Sequence, residues 1–136
     1  MVPGRDLLDR SEDGLGADLI PIVVVDDQAL FRGAMVDVVT ATSEFAVVGE
    51  AASGEEALRA VAELSPRMVI IDNRMPGMSG VETTRVLTER HEGLVVLLVS
   101  IDAFDPQVRA CGAAAFACKH ELSPRLLREV WRSHGS

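Results

Sequence analysis

The feature that most constrains this chain is an alternation that runs from Ile20 almost to its end. Short aliphatic runs, "IPIVVV", "FAVVG", "MVII", "LVVLLV" and "AAAFAC" (residues 20–25, 45–49, 68–71, 94–99 and 113–118), are separated by longer stretches with helical periodicity. The runs are too continuous to alternate in polarity, so they predict strands buried on both faces, the habit of parallel sheets. Helices are predicted over 28–41, 54–64, 79–90, 105–111 (a short one) and 123–133. Local signals support them: Ser53 can cap a first turn holding Glu55 and Glu56, Pro66 stops that helix, and Ser123-Pro124 puts proline in the first turn of the last.

Strands alternating with helices require right-handed crossovers, hence a parallel sheet covered on both sides. Five such units give an α/β, flavodoxin-like (βα)5 doubly wound domain with strand order 2-1-3-4-5. Ligands of such sheets bind beyond the carboxyl ends of the strands, at the switch point between the first and third. One domain, residues 20–136, is expected behind an acidic disordered lead-in, 1–19, that lacks the apolar stretch of a signal peptide.

Composition narrows the function. Apolar residues are 48% of the 136, yet aromatics are only 4%, so stacking platforms for bases are scarce. A formal net charge of −8 disfavours direct DNA binding by this chain and anionic membranes, and suits a cation or a basic partner. No apolar segment is long enough to span a membrane. Cys111 and Cys118 lack the spacing of a zinc site and read as reduced core residues of a cytoplasmic protein. "GEAASGEE" (49–56) has the glycine spacing of a P-loop but acids where Lys and Ser or Thr are required.

The chemistry gathers at the strand ends. Strand one runs into Asp26 and Asp27, strand three into Asp72, strand four into Ser100, and strand five into Lys119. Taken singly each has an ordinary reading: a helix cap or loop residue for the aspartates, a loop hydroxyl for Ser100, a solvated lysine. Together on one rim, three carboxylates repel and call for a hard cation, and Mg²⁺ needs only one or two carboxylates besides waters and phosphate oxygens. With Lys119 opposite, such a pocket suits a phosphoryl group attacked in line by a carboxylate.

The stretches "IVVVDDQALFRGAM", "VVGEAASGEEAL", "IIDNRMPGMSGVETTRVL", "VVLLVS" and "FACKHELSPRLL" resemble a response-regulator receiver domain of two-component signalling, especially receivers that usually carry a helix-turn-helix output domain. The resemblance covers residues 20–132. It implies that Asp72 is the phosphoacceptor and that Asp26 and Asp27 bind Mg²⁺ together with Asp72 and the backbone carbonyl of Arg74. It further implies Ser100 as the switch hydroxyl, Phe116 as the switch aromatic and Lys119 as the phosphate-facing lysine.

Such a domain takes phosphate from a histidine kinase or phosphotransfer protein, turns over no external substrate, and passes its state on as a phosphorelay switch. The chain departs from the family in three places. Ile101 stands where a small residue usually controls access to the phosphoryl group, which predicts slower phosphorylation and hydrolysis. The segment "IDAFDPQVRACGAAA" is about one turn short, predicting a shortened fourth helix. No helix-turn-helix follows "SPRLLREVWRSHGS", so output is expected through contacts with an unidentified downstream protein or through a homodimer, with Trp131 either anchoring such a contact or packing inward. An interaction module that signals without phosphorylation is the alternative reading.

Overall fold

Aliphatic side chains that point alternately to two sides of a sheet need helices on both, and this chain supplies them. In a computed structural model that describes residues 19–102 and 109–135, five strands form one parallel sheet in the order β2-β1-β3-β4-β5. The strands are β1 (Ile20–Val25), β2 (Phe45–Ala51), β3 (Met68–Asp72), β4 (Val95–Ser100) and β5 (Ala115–Cys118). The helices are α1 (Ala29–Thr40), α2 (Gly54–Leu64), α3 (Gly80–Arg90) and, at the C-terminus, α4 (Pro124–His134).

The two faces of the sheet are distinct cores. Ile22, Val24, Met68, Ile70, Val95, Leu97 and Val99 point to one side, against Met35 and Val39 of α1 and Leu127 and Val130 of α4. Their neighbours Val23, Val25, Val69, Ile71, Val96 and Leu98 point to the other, against Ala57 and Val61 of α2 and Leu87 of α3. The three central strands are therefore buried at every position but Pro21, and burying each of their larger aliphatic side chains contributes about 1.5–3 kcal/mol.

The edge strands differ from expectation. β2 is half exposed, with Val48 turned to solvent where its register against β1 slips, and it extends two residues beyond the predicted run. β5 is shorter than predicted and only Ala117 is fully buried, because each edge strand has a partner on one side alone. Cys118 is accordingly part-exposed rather than core, whereas Cys111 is buried; both are free thiols.

The helix signals operate as written. Ser53 accepts the Glu56 N–H, Ser123 accepts that of Leu126 ahead of Pro124, and α2 ends at Ser65, whose left-handed backbone precedes Pro66. Ser79 and Glu82 close a reciprocal capping box at the start of α3. The acidic lead-in, up to Asp18, and the predicted helix over 105–111, up to Val108, lie outside the described residues. Trp131 packs inward, its ring edge-on to Phe45 at 6.5 Å between centroids and covered by the Arg67 guanidinium at 4.8 Å. Among the described residues no helix is long and apolar enough to cross a membrane.

Candidate functional site

The strand register decides which strand-end residues meet. Val25 pairs with Ile71 across β1 and β3, so Asp26 and Asp72 follow at the same level on adjacent strands. Ser100 pairs with Cys118 across β4 and β5, which places Lys119 one step beyond. Backbone bonds fix the rim: the Asp26 N–H reaches the Ala51 carbonyl at 3.1 Å, and the Asn73 N–H reaches that of Val99 at 2.8 Å.

Asp26, Asp27, Asp72 and Lys119 come together. The lysine Nζ lies 2.9 Å from Asp26 Oδ2 and 3.2 Å from Asp72 Oδ1, with all three side chains largely withdrawn from solvent. Asp26 is fully buried. Its Oδ1 accepts the Gln28 N–H at 2.9 Å, so the commonplace helix-start role and the pocket role coexist in one carboxylate. Its Oδ2 has the ammonium as a charge partner but off the hydrogen-bonding direction, and it has no directed hydrogen bond. Arg32 of α1 braces this corner, donating to the Asp26 carbonyl at 2.8 Å and pairing with Glu50 of β2 at 3.2 Å.

Three carboxylates around one ammonium leave a net charge of −2 when all are ionised, and the energetics follow. Burial, and then the neighbouring Asp26 charge, push the Asp72 carboxyl up to about 6 from its ordinary 3.8, with Lys119 opposing both. Burial works to lower the Lys119 ammonium, but its pairing with Asp26 and Asp72 outweighs this and raises it. Asp72 is thus mostly ionised at neutral pH and Lys119 stays charged.

The donor set fits a hard divalent cation. One oxygen from each of Asp26, Asp27 and Asp72 lies within 4.8 Å of the others. Octahedral ligands at about 2.1 Å stand at most about 4.2 Å apart, so a slight closure or one bridging water completes the match. Asp26 Oδ2, buried beside the ammonium without a directed hydrogen bond, keeps lone-pair capacity that suits a cation.

The other expected residues lie on the neighbouring strands and loops. Ser100 is buried and its hydroxyl accepts the Asp102 N–H at 3.2 Å. Ile101 is 65% exposed beside it. Arg74, in the loop after Asp72, turns its side chain to solvent and pairs with Asp102, joining the β3 and β4 loops across the rim. Phe116 packs against the α2–α3 core, with the Arg109 guanidinium 5.1 Å from its ring centroid. Besides Arg32, two contributions are not among the sequence expectations. The Phe31 ring lies 4.0 Å from Lys119 Nζ. A Cβ on Gly80 would stand 2.3 Å from the Asp72 carbonyl oxygen, so only glycine lets α3 begin this close to the end of β3.

Residues 22–129 match the family profile of the response regulator receiver domain. The chain belongs to the response-regulator receiver family. This receiver is 36% identical over 104 residues to the response regulator GacA of Pseudomonas viridiflava, an alignment covering 74% of this chain and 49% of that protein. It is 32% identical over 114 residues to the transcriptional regulatory protein DegU of Brevibacillus brevis, covering 82% and 48%. The receiver thus spans about half the length of these relatives. Among solved structures it resembles the receiver domain of the response regulator NarL from Mycobacterium tuberculosis, with a TM-score of 0.74 and 30% identity over 83% of this chain and 97% of that one. The response regulator domain of Thermotoga maritima CheB aligns with the same TM-score at 25% identity, covering 85% and 96%.

Proposed function

We propose that this receiver is a phosphorylation-dependent switch of a two-component phosphorelay that accepts a phosphoryl group on Asp72, from the phosphohistidine of a histidine kinase or phosphotransfer protein or from a small donor. The observation that carries this reading is the placement of the Asp72 carboxylate within 3.2 Å of the part-buried Lys119 ammonium and beside two further carboxylates.

In this reading an Asp72 oxygen attacks phosphorus in line, and Lys119 neutralises an equatorial oxygen of the transferring group. The Ser100 hydroxyl accepts from the backbone of Asp102, which leaves its proton to donate to a second phosphoryl oxygen. Asp26, Asp27, Asp72 and the carbonyl of Arg74 would hold Mg²⁺, which when bound supplies positive charge to the remaining oxygens. Ser100 drawn toward the phosphoryl group vacates space that the Phe116 ring can enter, and Ile101 at the mouth slows the entry of donor and water. The changed surface then acts through protein contacts, with no turnover of an external substrate.

The test is incubation with Mg²⁺ and acetyl phosphate, or with beryllofluoride, followed by intact mass and Mg²⁺ titration, with Asp72→Asn as control. One phosphoryl adduct that requires Asp72 and Mg²⁺ is expected. An Mg²⁺-binding protein with no adduct, or a protein that binds neither, would refute the switch and leave a domain that acts by binding alone.

A further inference from the structure

We propose that Phe31 is a positioning residue for Lys119, holding its ammonium in the pocket while the charge on Asp72 is redistributed. The inference rests on phosphoryl transfer to Asp72. A lysine ammonium sits on a flexible four-carbon stem, and a buried cation needs partners on every side it presents. Lys119 has the Asp26 and Asp72 carboxylates at 2.9 and 3.2 Å, and the face of Phe31 at 4.0 Å from its centroid. That distance lies well inside the range in which the negative face of an aromatic ring attracts a cation. Neighbouring Leu30 projects into solvent at 82% exposure, whereas Phe31, still exposed at 38%, lays its ring against the lysine.

The ring matters most once transfer has taken place. The Asp72 oxygen forms a bond to phosphorus, and the bond from phosphorus to the donor oxygen breaks, its electron pair leaving with acetate when acetyl phosphate is the donor. The carboxylate becomes a neutral acyl phosphate linkage on the Asp72 side, and the negative charge moves outward onto the phosphoryl oxygens. Lys119 must follow that charge by a short step. A ring that carries no titrating group and makes no bond keeps its attraction throughout, so the ammonium shifts along the ring face, and Lys119 and Phe31 together line one cleft with Met35 and Leu122. Preplacing a cation where negative charge develops accelerates transfer because no reorganisation is required at the moment of reaction.

Lys119 is the sole lysine of the chain, so its side-chain NMR signals are unambiguous. The experiment replaces Phe31 by Leu, by Tyr and, site-specifically, by mono-, di- and trifluorophenylalanine, a nearly isosteric series that weakens the ring face stepwise. Each protein is checked for folding by its thermal melt, for ring proximity by the ring-current shift of the Lys119 ε-methylene protons, and for the rate of Asp72 phosphorylation by acetyl phosphate with Mg²⁺. The expected result is a rate about 3–10-fold lower in Phe31→Leu, within the span of cation–π strengths, near-parental in Phe31→Tyr, and graded through the fluorinated series. Equal rates in the parent, the leucine variant and all fluorinated proteins would overturn the proposal while leaving phosphoryl transfer intact. A parent with the ring-current shift but no phosphorylation would overturn the underlying reading, and the inference with it.

Discussion

Removing the charge of Asp72 should make the metal-free protein more stable. The Asp72 side chain is almost wholly out of solvent, and burial with the adjacent Asp26 charge raises its carboxyl from 3.8 to about 6. The native state therefore holds this proton more tightly than the unfolded chain does. Between these two values the native state binds more protons, so stability falls as pH rises from about 4 to about 6 and stays lowered above that. The difference of about 2.2 pH units corresponds to about 3 kcal/mol at most. The pocket opens to water at the rim, and screening there reduces the figure to about 1–2 kcal/mol. Asp72→Asn keeps the shape and deletes the charge, and should raise the unfolding free energy from urea denaturation at pH 8 by that amount, or the melting temperature by about 4–8 °C. At pH 4 the two proteins should be nearly alike. Saturating Mg²⁺ should stabilise the parent and narrow the gap at pH 8, because binding to the native state adds to its stability. Denaturation at pH 4, 6 and 8, with and without Mg²⁺, checks all of this. An asparagine variant less stable than the parent at pH 8, or one whose advantage persists unchanged at pH 4, would refute the reasoning.

Two further substitutions probe the frame of the pocket. Gly80→Ala sets a methyl group 2.3 Å from the Asp72 carbonyl oxygen and should cost about 1–3 kcal/mol in chemical denaturation, with a parallel loss of phosphorylation as β3 and α3 are pushed apart. Ile101→Ala removes an exposed side chain that has little packing to lose. It should leave the melt within about 0.5 kcal/mol of the parent yet speed both formation and hydrolysis of the phosphorylated form, and unchanged kinetics would absolve Ile101.

Much of this arrangement is legible in the sequence because parallel strands bury both faces and leave continuous aliphatic runs. β1 (Ile20–Val25) and α2 (Gly54–Leu64) fall where patterning and caps put them. Edge strands are harder to delimit: β2 carries Gly49 and Glu50 in mid-strand, and only its pairing with β1 extends it to Ala51. The rim residues Asp26, Asp27, Asp72, Ser100 and Lys119 are readable because each directly follows an aliphatic run, and the strand order then collects them. Phe31 and Arg32 escape that logic. They sit in a helix rather than at a strand end, where an aromatic and an arginine look like core and surface, and nothing local reveals that one faces Lys119 and the other the Asp26 carbonyl. Their position four to six residues after a paired aspartate, within the first turn and a half of the next helix, is the signal that could have found them. Gly80 is similarly silent, since a glycine opening a helix does not say what it abuts.

The pocket also has an order of assembly written into it. Its carboxylates arrive on β1 and β3, whereas its ammonium arrives after β5, the strand made last and paired only to β4. Wherever β1 and β3 pair before that strand docks, as synthesis from the N-terminus favours, the acids confront one another without their internal counterion. Seating the final edge of the sheet and quenching the repulsion at its centre are then a single event, which ties the site where signalling chemistry would occur to the most peripheral pairing in the molecule.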